Sequence, residues 1–79
     1  MILFPNPATT ELNVTAENIG NGPAVLRIYD INGKIYKEVN YTVTKSFEAL
    51  ILLYAIPRGS YVVELSTAKT KISRKLVVL

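Results

Sequence analysis

The side chains best suited to acid, base or metal-ligand chemistry in this sequence are its carboxylates, because it contains no histidine and no cysteine. Without those two residue types, neither the usual zinc ligand set nor a Ser-His or Cys-His nucleophile pair can form. The carboxylates are scattered, without the D-x-D-x-D-G spacing of a calcium loop. They are Glu11, Glu17, Asp30, Glu38, Glu48 and Glu64. We therefore expect no enzyme, no catalytic residue, no metal and no cofactor.

A second chemically distinct group is the basic cluster near the end of the sequence. Lys69, Lys71, Arg74 and Lys75 lie close together in a chain of formal net charge +3. Such a cluster either binds nucleic acid or keeps an exposed edge strand from aggregating. Because no aromatic-basic stacking motif accompanies the charges, the edge strand is favoured and no nucleic-acid partner is expected.

The elements that must position these side chains are strands. The chain has 79 residues, 49% of them hydrophobic, and is rich in Val, Ile, Thr and Tyr, which favour strands. This length predicts a single domain over residues 1–79. The longest apolar run, Ala49 to Ile56, is far shorter than the roughly 20 residues of a membrane helix, so no membrane insertion is expected.

Pro, Gly and Asn divide the chain into about seven short segments with strand-like alternation, a pattern typical of an all-β sandwich. An apolar lead over residues 2–4 is followed by predicted strands over residues 11–15, 24–29, 35–43, 47–53, 61–66 and 70–78. Residues 18–23 are predicted to form a loop. In the strand 35–43 the odd positions are mostly apolar, and Lys37 interrupts them, which predicts a twist or bulge there.

The strongest turn signal is Asp30-Ile31-Asn32-Gly33. Asn32 and Gly33 could form the centre of a type I′ hairpin, both with positive φ. Alternatively, Asp30 begins a type I turn and Gly33 takes the left-handed position of a bulge. The second interpretation is favoured, because Asp at the first position and Gly at the fourth are the residues that this turn prefers.

The run Leu50-Ile51-Leu52-Leu53 is apolar at every position, which the alternation of a sheet with one wet face does not explain. Either both faces of this strand are covered, or part of the run is exposed. The cover would be the loop 18–23 or a second copy of the chain. We therefore expect a homodimer of the isolated domain at high concentration, formed through residues 47–56 or through the last strand.

Four motif blocks, read in order, resemble one known family. They are Leu3-Phe4-Pro5-Asn6-Pro7-Ala8-Thr9 with Leu12-Asn13-Val14, then Ile28-Tyr29-Asp30-Ile31-Asn32-Gly33-Lys34, then Ile56-Pro57-Arg58-Gly59-Ser60-Tyr61-Val62-Val63, and finally Lys75-Leu76-Val77-Val78-Leu79. Together they resemble the C-terminal sorting domain of the type IX secretion system of Bacteroidota, in its type A form. The resemblance extends over nearly the entire chain, and it is the order and spacing of the blocks that make it specific.

The resemblance implies an immunoglobulin-like β-sandwich of about seven strands that acts as a non-catalytic secretion signal. It also implies a larger secreted precursor from which residues 1–79 are excised, with a covalently linked N-terminal cargo. The cargo would pass through the periplasm, and the type IX secretion machinery would carry it across the outer membrane. A sortase-like peptidase would then remove the domain and leave the cargo secreted or at the cell surface.

The family motifs contain seven residues that we assign to structure rather than to recognition: Pro5, Asn6, Pro7, Asp30, Gly33, Gly59 and Tyr61. The Pro-Asn-Pro block ends one strand and leads into the next. Gly59 permits a tight start to a strand, and Tyr61 supplies a buried ring whose hydroxyl needs a hydrogen-bond partner.

Partner recognition is predicted in the last strand, at Lys71, Arg74, Lys75, Leu76, Val77 and Val78. An exposed edge of alternating basic and apolar residues can be read by a partner that adds a strand. The same residues could equally serve only to close the sheet. The alternative function is a cell-surface β-sandwich accessory module that binds carbohydrate or protein, for which an exposed aromatic platform would be expected.

Overall fold

Seven strands and no helix make up the fold in a computed structural model that describes residues 1–79. The strands are β1 (Ile2–Phe4), β2 (Glu11–Ala16), β3 (Asn21–Asp30), β4 (Ile35–Thr44), β5 (Phe47–Leu52), β6 (Gly59–Thr67) and β7 (Lys71–Val78). The predicted all-β sandwich of seven short antiparallel strands is confirmed. No element is a helix with the length and apolar character needed to span a membrane.

The strands form two antiparallel sheets, one of three strands in the order β1-β2-β5 and one of four in the order β4-β3-β6-β7. In both sheets the neighbouring strands run antiparallel. The order β3-β6-β7, extended by β4, corresponds to the C, F and G strands of an immunoglobulin-type sheet with an added C′ strand. Two sheets packed face to face leave four edge strands, which are β1, β5, β4 and β7.

The core lies between the sheets and consists of 18 buried residues, all hydrophobic. Alternate residues of the two central strands point into it, namely Ala24, Leu26, Ile28, Tyr61, Val63 and Leu65. Successive side chains of a strand point to opposite faces, so alternate apolar positions suffice to build this inner layer.

The start of β3 differs from the prediction, because residues 21–23 belong to the strand and not to the preceding loop. The nitrogen of Pro23 faces the β6 side of β3, because even-numbered residues such as Asp30 bond toward β4, and the pairing of β3 with β6 begins only at Ala24. Its missing N–H therefore removes no hydrogen bond from the sheet, and a proline is tolerated there.

The irregularity predicted at Lys37 is confirmed as a bulge one residue earlier. Ile28 pairs with Lys37 whereas Tyr29 pairs with Ile35, which leaves Tyr36 as the extra residue. Regular alternation over residues 35–43 predicts Ile35 on the same face as Val39 and Val43, and this prediction is wrong because the bulge shifts the alternation. Ile35 is exposed, and Tyr36 packs against the core instead.

The apolar run at the end of β5 is only half buried. Ile51 and Leu53 point into the core, whereas Leu50 and Leu52 are 55% and 45% exposed. The loop before β3 does not cover them. Leu50 lies in line with Phe4 across β2, because Asn13 pairs with both. Ile2, Phe4, Leu50 and Leu52 thus give the outer face of the three-stranded sheet an exposed apolar surface.

Candidate functional site

The six residues predicted for recognition lie on β7, at the edge of the four-stranded sheet. The structure separates them into two groups. Lys71, Arg74 and Lys75 are exposed, whereas Leu76 and Val78 are 0% and 3% exposed and belong to the core. Only the basic members present most of their side chain to a partner, while Leu76 and Val78 hold the strand in the sandwich.

The backbone of β7 also has two sides. Residues of an antiparallel strand point their N–H and C=O groups alternately toward and away from the neighbouring strand. In β7 the backbone N–H and C=O groups that point away from β6 belong to the odd-numbered residues. The evidence is that the C=O of Lys75, the N–H and C=O of Val77 and the N–H of Leu79 all bond to residues outside β6. The even-numbered residues therefore form the ladder with β6.

The segment Pro5–Ala8, here called the clasp, occupies the C-terminal half of this edge. The Asn6 side-chain Nδ2 donates to the C=O of Lys75 at 2.9 Å, and Asn6 Oδ1 accepts from the N–H of Val77 at 3.1 Å. Ala8 continues the pairing, donating to the C=O of Val77 and accepting from the N–H of Leu79, both at 2.8 Å. A partner strand could bond to the C=O of Lys75 or to residues 77–79 only by displacing the clasp.

The N-terminal half of the edge, residues 71–75, is open. By the same alternation, the N–H groups of Lys71, Ser73 and Lys75 point away from the sheet. Two bonds are made to outward groups of this stretch: the Arg74 guanidinium donates to the C=O of Ser73 at 2.9 Å, and at the boundary Asn6 donates to the C=O of Lys75. The β7 edge thus offers a short row of unpaired donors that ends where the clasp begins.

Positive charge concentrates along this open half. Lys69, Lys71, Arg74 and Lys75 are all exposed. The carboxylate facing them, Glu64, lies 3.7 Å from Lys71 Nζ and 3.6 Å from Arg27 Nη1, and its side chain is only 12% exposed. Because Arg27 shares this carboxylate, most of the cationic charge at the open edge is left uncompensated.

Arg27 is itself fixed by a second carboxylate. Its Nε donates to Glu38 Oε2 at 2.6 Å, and this hydrogen bond raises the pKa of the guanidinium above its ordinary value. The guanidinium, which is charged in proteins at any ordinary pH, lies beside Glu64 on the outer face of the sheet next to β7.

The turn motif has the geometry that the favoured interpretation predicted. The N–H of Gly33 donates to the C=O of Asp30 at 3.0 Å, and Gly33 has a φ of 86° whereas Asn32 does not have a positive φ. Asp30 Oδ1 accepts from the N–H groups of Asn32 and Lys34 at 2.9 and 3.0 Å. The type I turn followed by a left-handed glycine is confirmed.

Tyr61 forms the corner that begins β6. Its hydroxyl donates to the C=O of Pro57, four residues earlier, as in the tyrosine corner of immunoglobulin-like sandwiches. Burial raises the pKa of Tyr61 above its ordinary value, and the nearby Tyr36 and Asp30 raise it further. Gly59 precedes it with a φ of 154°, a conformation that residues with a Cβ rarely adopt.

A groove of about 470 Å³ lies between β4 and the segment after β5, lined by Tyr36, Lys37, Glu38, Leu52, Tyr54, Ala55 and Ile56. Tyr54 is the one strongly exposed tyrosine of the chain, at 79%. Tyr36 packs edge-on against Tyr61 and carries the Lys34 ammonium over its ring, 4.9 Å from the centroid. The groove therefore lacks the row of exposed rings that a carbohydrate platform requires.

Sequence reasoning placed the basic residues on an edge but missed the clasp. Asn6 was assigned to a strand ending, yet its side chain bonds to a strand about 70 residues away. The available signal was the pair of prolines around it. Two residues without N–H cannot form a regular strand, so the intervening asparagine supplies donor and acceptor from its side chain.

Comparison with known proteins connects this arrangement to a family. The model of the secretion system C-terminal sorting domain matches residues 2–79, which is nearly the whole chain. No curated protein matches the chain. The family is a non-catalytic sorting signal for type IX secretion, and it implies an N-terminal cargo and export to the cell surface or the medium. The resemblance inferred from the motif blocks is confirmed, and the chain belongs to the secretion system C-terminal sorting domain family.

Proposed function

We propose that residues 1–79 form one sorting domain of a larger precursor, which the type IX machinery recognises while the cargo is in the periplasm. The cargo then crosses the outer membrane, and a sortase-like peptidase removes the domain to leave the cargo secreted or at the cell surface. The family match over residues 2–79 carries this proposal.

The terminal strand is the part of the domain that we assign to recognition. Lys71, Arg74 and Lys75 are exposed at a sheet edge and supply the side chains that a partner contacts. Leu76 and Val78 contribute indirectly, because their burial fixes the strand in the sandwich. Val77 contributes through its backbone, which the clasp holds in place.

The position of the cargo junction supports this assignment. The cargo would precede β1, and β1 lies against β7 as well as pairing with β2. The clasp, which directly follows β1, bonds to β7. A machine that holds the terminal strand is therefore also close to the junction that a peptidase has to reach.

A passenger fusion tests the proposal. A passenger with an N-terminal export signal, fused to residues 1–79, should appear outside a type IX-competent cell, and the passenger alone should stay in the periplasm. Deleting residues 75–79 should also retain the passenger, but this change removes Leu76 and Val78 from the core. The paired substitution Lys71→Gln and Lys75→Gln leaves the core intact and should reduce export as well.

The matched control for the charge substitutions is Lys34→Gln with Lys45→Gln, which removes equal charge from exposed positions at either end of β4, the opposite edge of the sheet from β7. Equal export of the Lys71/Lys75 variant, the control variant and the unaltered fusion would contradict a role for the basic edge. Failure of the unaltered fusion to leave the periplasm would contradict the sorting function itself.

We also propose weak self-association of the isolated domain. The exposed apolar face contains Ile2, Phe4, Leu50 and Leu52. Patches of about 300–600 Å² occur on ordinary monomers, and a stable complex buries about 800 Å² on each partner. A second copy that covers this face is therefore expected to bind weakly, at high protein concentration only.

A further inference from the structure

We propose that the open half of the β7 edge, residues 71–75, binds an extended acidic segment of a partner protein by strand addition. This inference rests on the proposed function, because it names the chemistry of the partner that reads the same strand. The partner segment would complete the four-stranded sheet as a fifth strand beside β7.

The backbone determines where the partner can pair. The N–H groups of Lys71, Ser73 and Lys75 point outward and have no partner in the fold. From the C=O of Lys75 onward the outward backbone groups are occupied by the clasp, because Asn6 bonds to the C=O of Lys75 and to the N–H of Val77. The clasp therefore limits the added strand to a short segment and fixes its register at the clasp boundary.

The side chains determine which segment binds. Lys71, Ser73 and Lys75 are on one face of β7, and Arg74 is on the other, because residues of a strand alternate. An added strand with acidic residues opposite Lys71 and Lys75 would place opposite charges across the new pairing, which stabilises neighbouring strands. A basic segment would face like charges instead, so the edge selects against it.

The other edges of the sandwich do not offer this combination. β1 has only three residues. The end of β5 is covered where Lys37 Nζ donates to the C=O of Leu52 at 3.0 Å. From Glu38 to Thr44, β4 carries a carboxylate and no cation. Only β7 combines an open row of donors with a surplus of positive charge.

The same charges could attract nucleic acid or a polyanionic glycan, but the rest of the edge favours a peptide. Binding of single-stranded nucleic acid relies on aromatic rings next to the basic residues. The strongly exposed tyrosine, Tyr54, lies beside β4 and β5 instead, in the groove described above. Outward-pointing backbone donors at strand spacing match another strand and not a phosphate chain.

A peptide titration tests the inference on the isolated chain. The isotopically labelled domain is mixed with a synthetic peptide that alternates Glu and Val, and amide exchange and chemical shifts are followed by NMR. We expect protection at Lys71, Ser73 and Lys75. A Gln-Val peptide should bind about two- to thirty-fold more weakly, the fold-change expected for two lost cross-strand charge pairs. A Lys-Val peptide should not bind.

The variant Ser73→Pro separates strand addition from simple charge attraction. Ser73 donates outward, so proline removes a donor needed by the partner and none used in the ladder with β6. It should abolish binding of the Glu-Val peptide, whereas Ser73→Ala, which keeps the N–H, should bind normally. If Ser73→Pro does not fold, the double variant Lys71→Gln with Lys75→Gln replaces it. This variant should bind the Glu-Val and Gln-Val peptides with equal affinity.

Several results would overturn the inference. One is equal binding of the Glu-Val peptide to the Ser73→Pro and Ser73→Ala variants. Another is amide protection on β4 in place of β7. A third is tighter binding of single-stranded DNA than of the peptide. If the passenger fused to residues 1–79 is exported while the peptide fails to bind, the acidic partner is wrong and the sorting function stands. If the fusion is not exported, the sorting function fails whatever the peptide does.

Discussion

Asn6 and Val77 are 71 residues apart in the sequence, and the side-chain oxygen of Asn6 accepts a hydrogen bond from the backbone N–H of Val77 at 3.1 Å. This bond joins the segment after the first strand to the end of the last strand. The side-chain amide of Asn6 thus takes the place of the backbone N–H and C=O groups that a neighbouring strand would offer to β7. The two ends of the domain are thereby fastened together, and half of an otherwise exposed edge is protected.

The substitution Asn6→Ala removes both bonds of the side-chain amide to β7. We expect it to lower the free energy of unfolding by about 1–2 kcal/mol, the net contribution of two hydrogen bonds. Urea denaturation measures the loss, and faster exchange of the Val77 amide would locate it. The control is Asn40→Ala, at an exposed strand asparagine whose side chain makes no hydrogen bond, with a change below about 0.5 kcal/mol. Equal stability of Asn6→Ala and wild type would contradict the clasp.

The substitution Gly33→Ala tests the turn between β3 and β4. Gly33 has a φ of 86°, and a Cβ built there meets nothing within 4 Å, so only the backbone conformation opposes the change. We expect a loss of about 1 kcal/mol, the penalty for placing a residue with a Cβ in the left-handed region. Asn32→Ala, one residue earlier and without a positive φ, should cost less. A larger loss at Asn32 than at Gly33 would contradict the assigned turn.

Buried tyrosines make the domain sensitive to alkaline pH. Burial raises the pKa of Tyr61 and of Tyr41 above the value of about 10 that an unfolded tyrosine has. The folded state thus keeps protons on these two tyrosines that the unfolded state releases. Their contribution to stability is therefore constant below about pH 10 and is lost as the pH rises through and above this value.

Tyr61→Phe isolates the contribution of one of these tyrosines. The variant loses the hydrogen bond to Pro57 and should be less stable than wild type at neutral pH. Its free energy of unfolding should then fall less steeply above about pH 10, because Tyr41 is the one remaining tyrosine whose pKa is raised by folding. Denaturation midpoints across this pH range provide the measurement, and identical slopes for variant and wild type would disprove the role of Tyr61.

Several features followed from the residues alone, because the local pattern determines them. Alternation predicted the strands over residues 24–29 and 61–66, and the residue preferences of Asp30 and Gly33 predicted the turn type. Each of these depends on neighbours within a few positions. The motif blocks predicted the family, since their order along the chain is itself a property of the sequence.

Other features depend on contacts between distant parts of the chain and were missed or left open. The bulge at Tyr36 reversed the expected face of Ile35, and nothing local indicated the residue at which the register would shift. The clasp of Asn6 on Val77 depends on β1 and β7 lying side by side. The exposure of Leu50 and Leu52 depends on the absence of a third layer, which an apolar run does not reveal.

Self-association can be examined by analytical ultracentrifugation over a concentration series from tens of micromolar upward. We expect weak, concentration-dependent dimer formation through the exposed apolar face. Leu50→Thr with Leu52→Thr should abolish it while keeping strand-favouring residues in β5. Ile31→Thr removes a comparably exposed apolar side chain from the distant turn and should leave it unchanged. A monomer at every concentration would contradict the proposed dimer.

The most direct test of the central claim is the fraction of a passenger found outside the cell when it is fused to residues 1–79. It is compared between a type IX-competent strain and an otherwise identical strain whose type IX machinery is disabled. We expect the passenger to lie outside the competent cells and to accumulate in the periplasm of the disabled ones. Equal fractions outside the two strains would contradict the assignment of this domain as a type IX sorting signal.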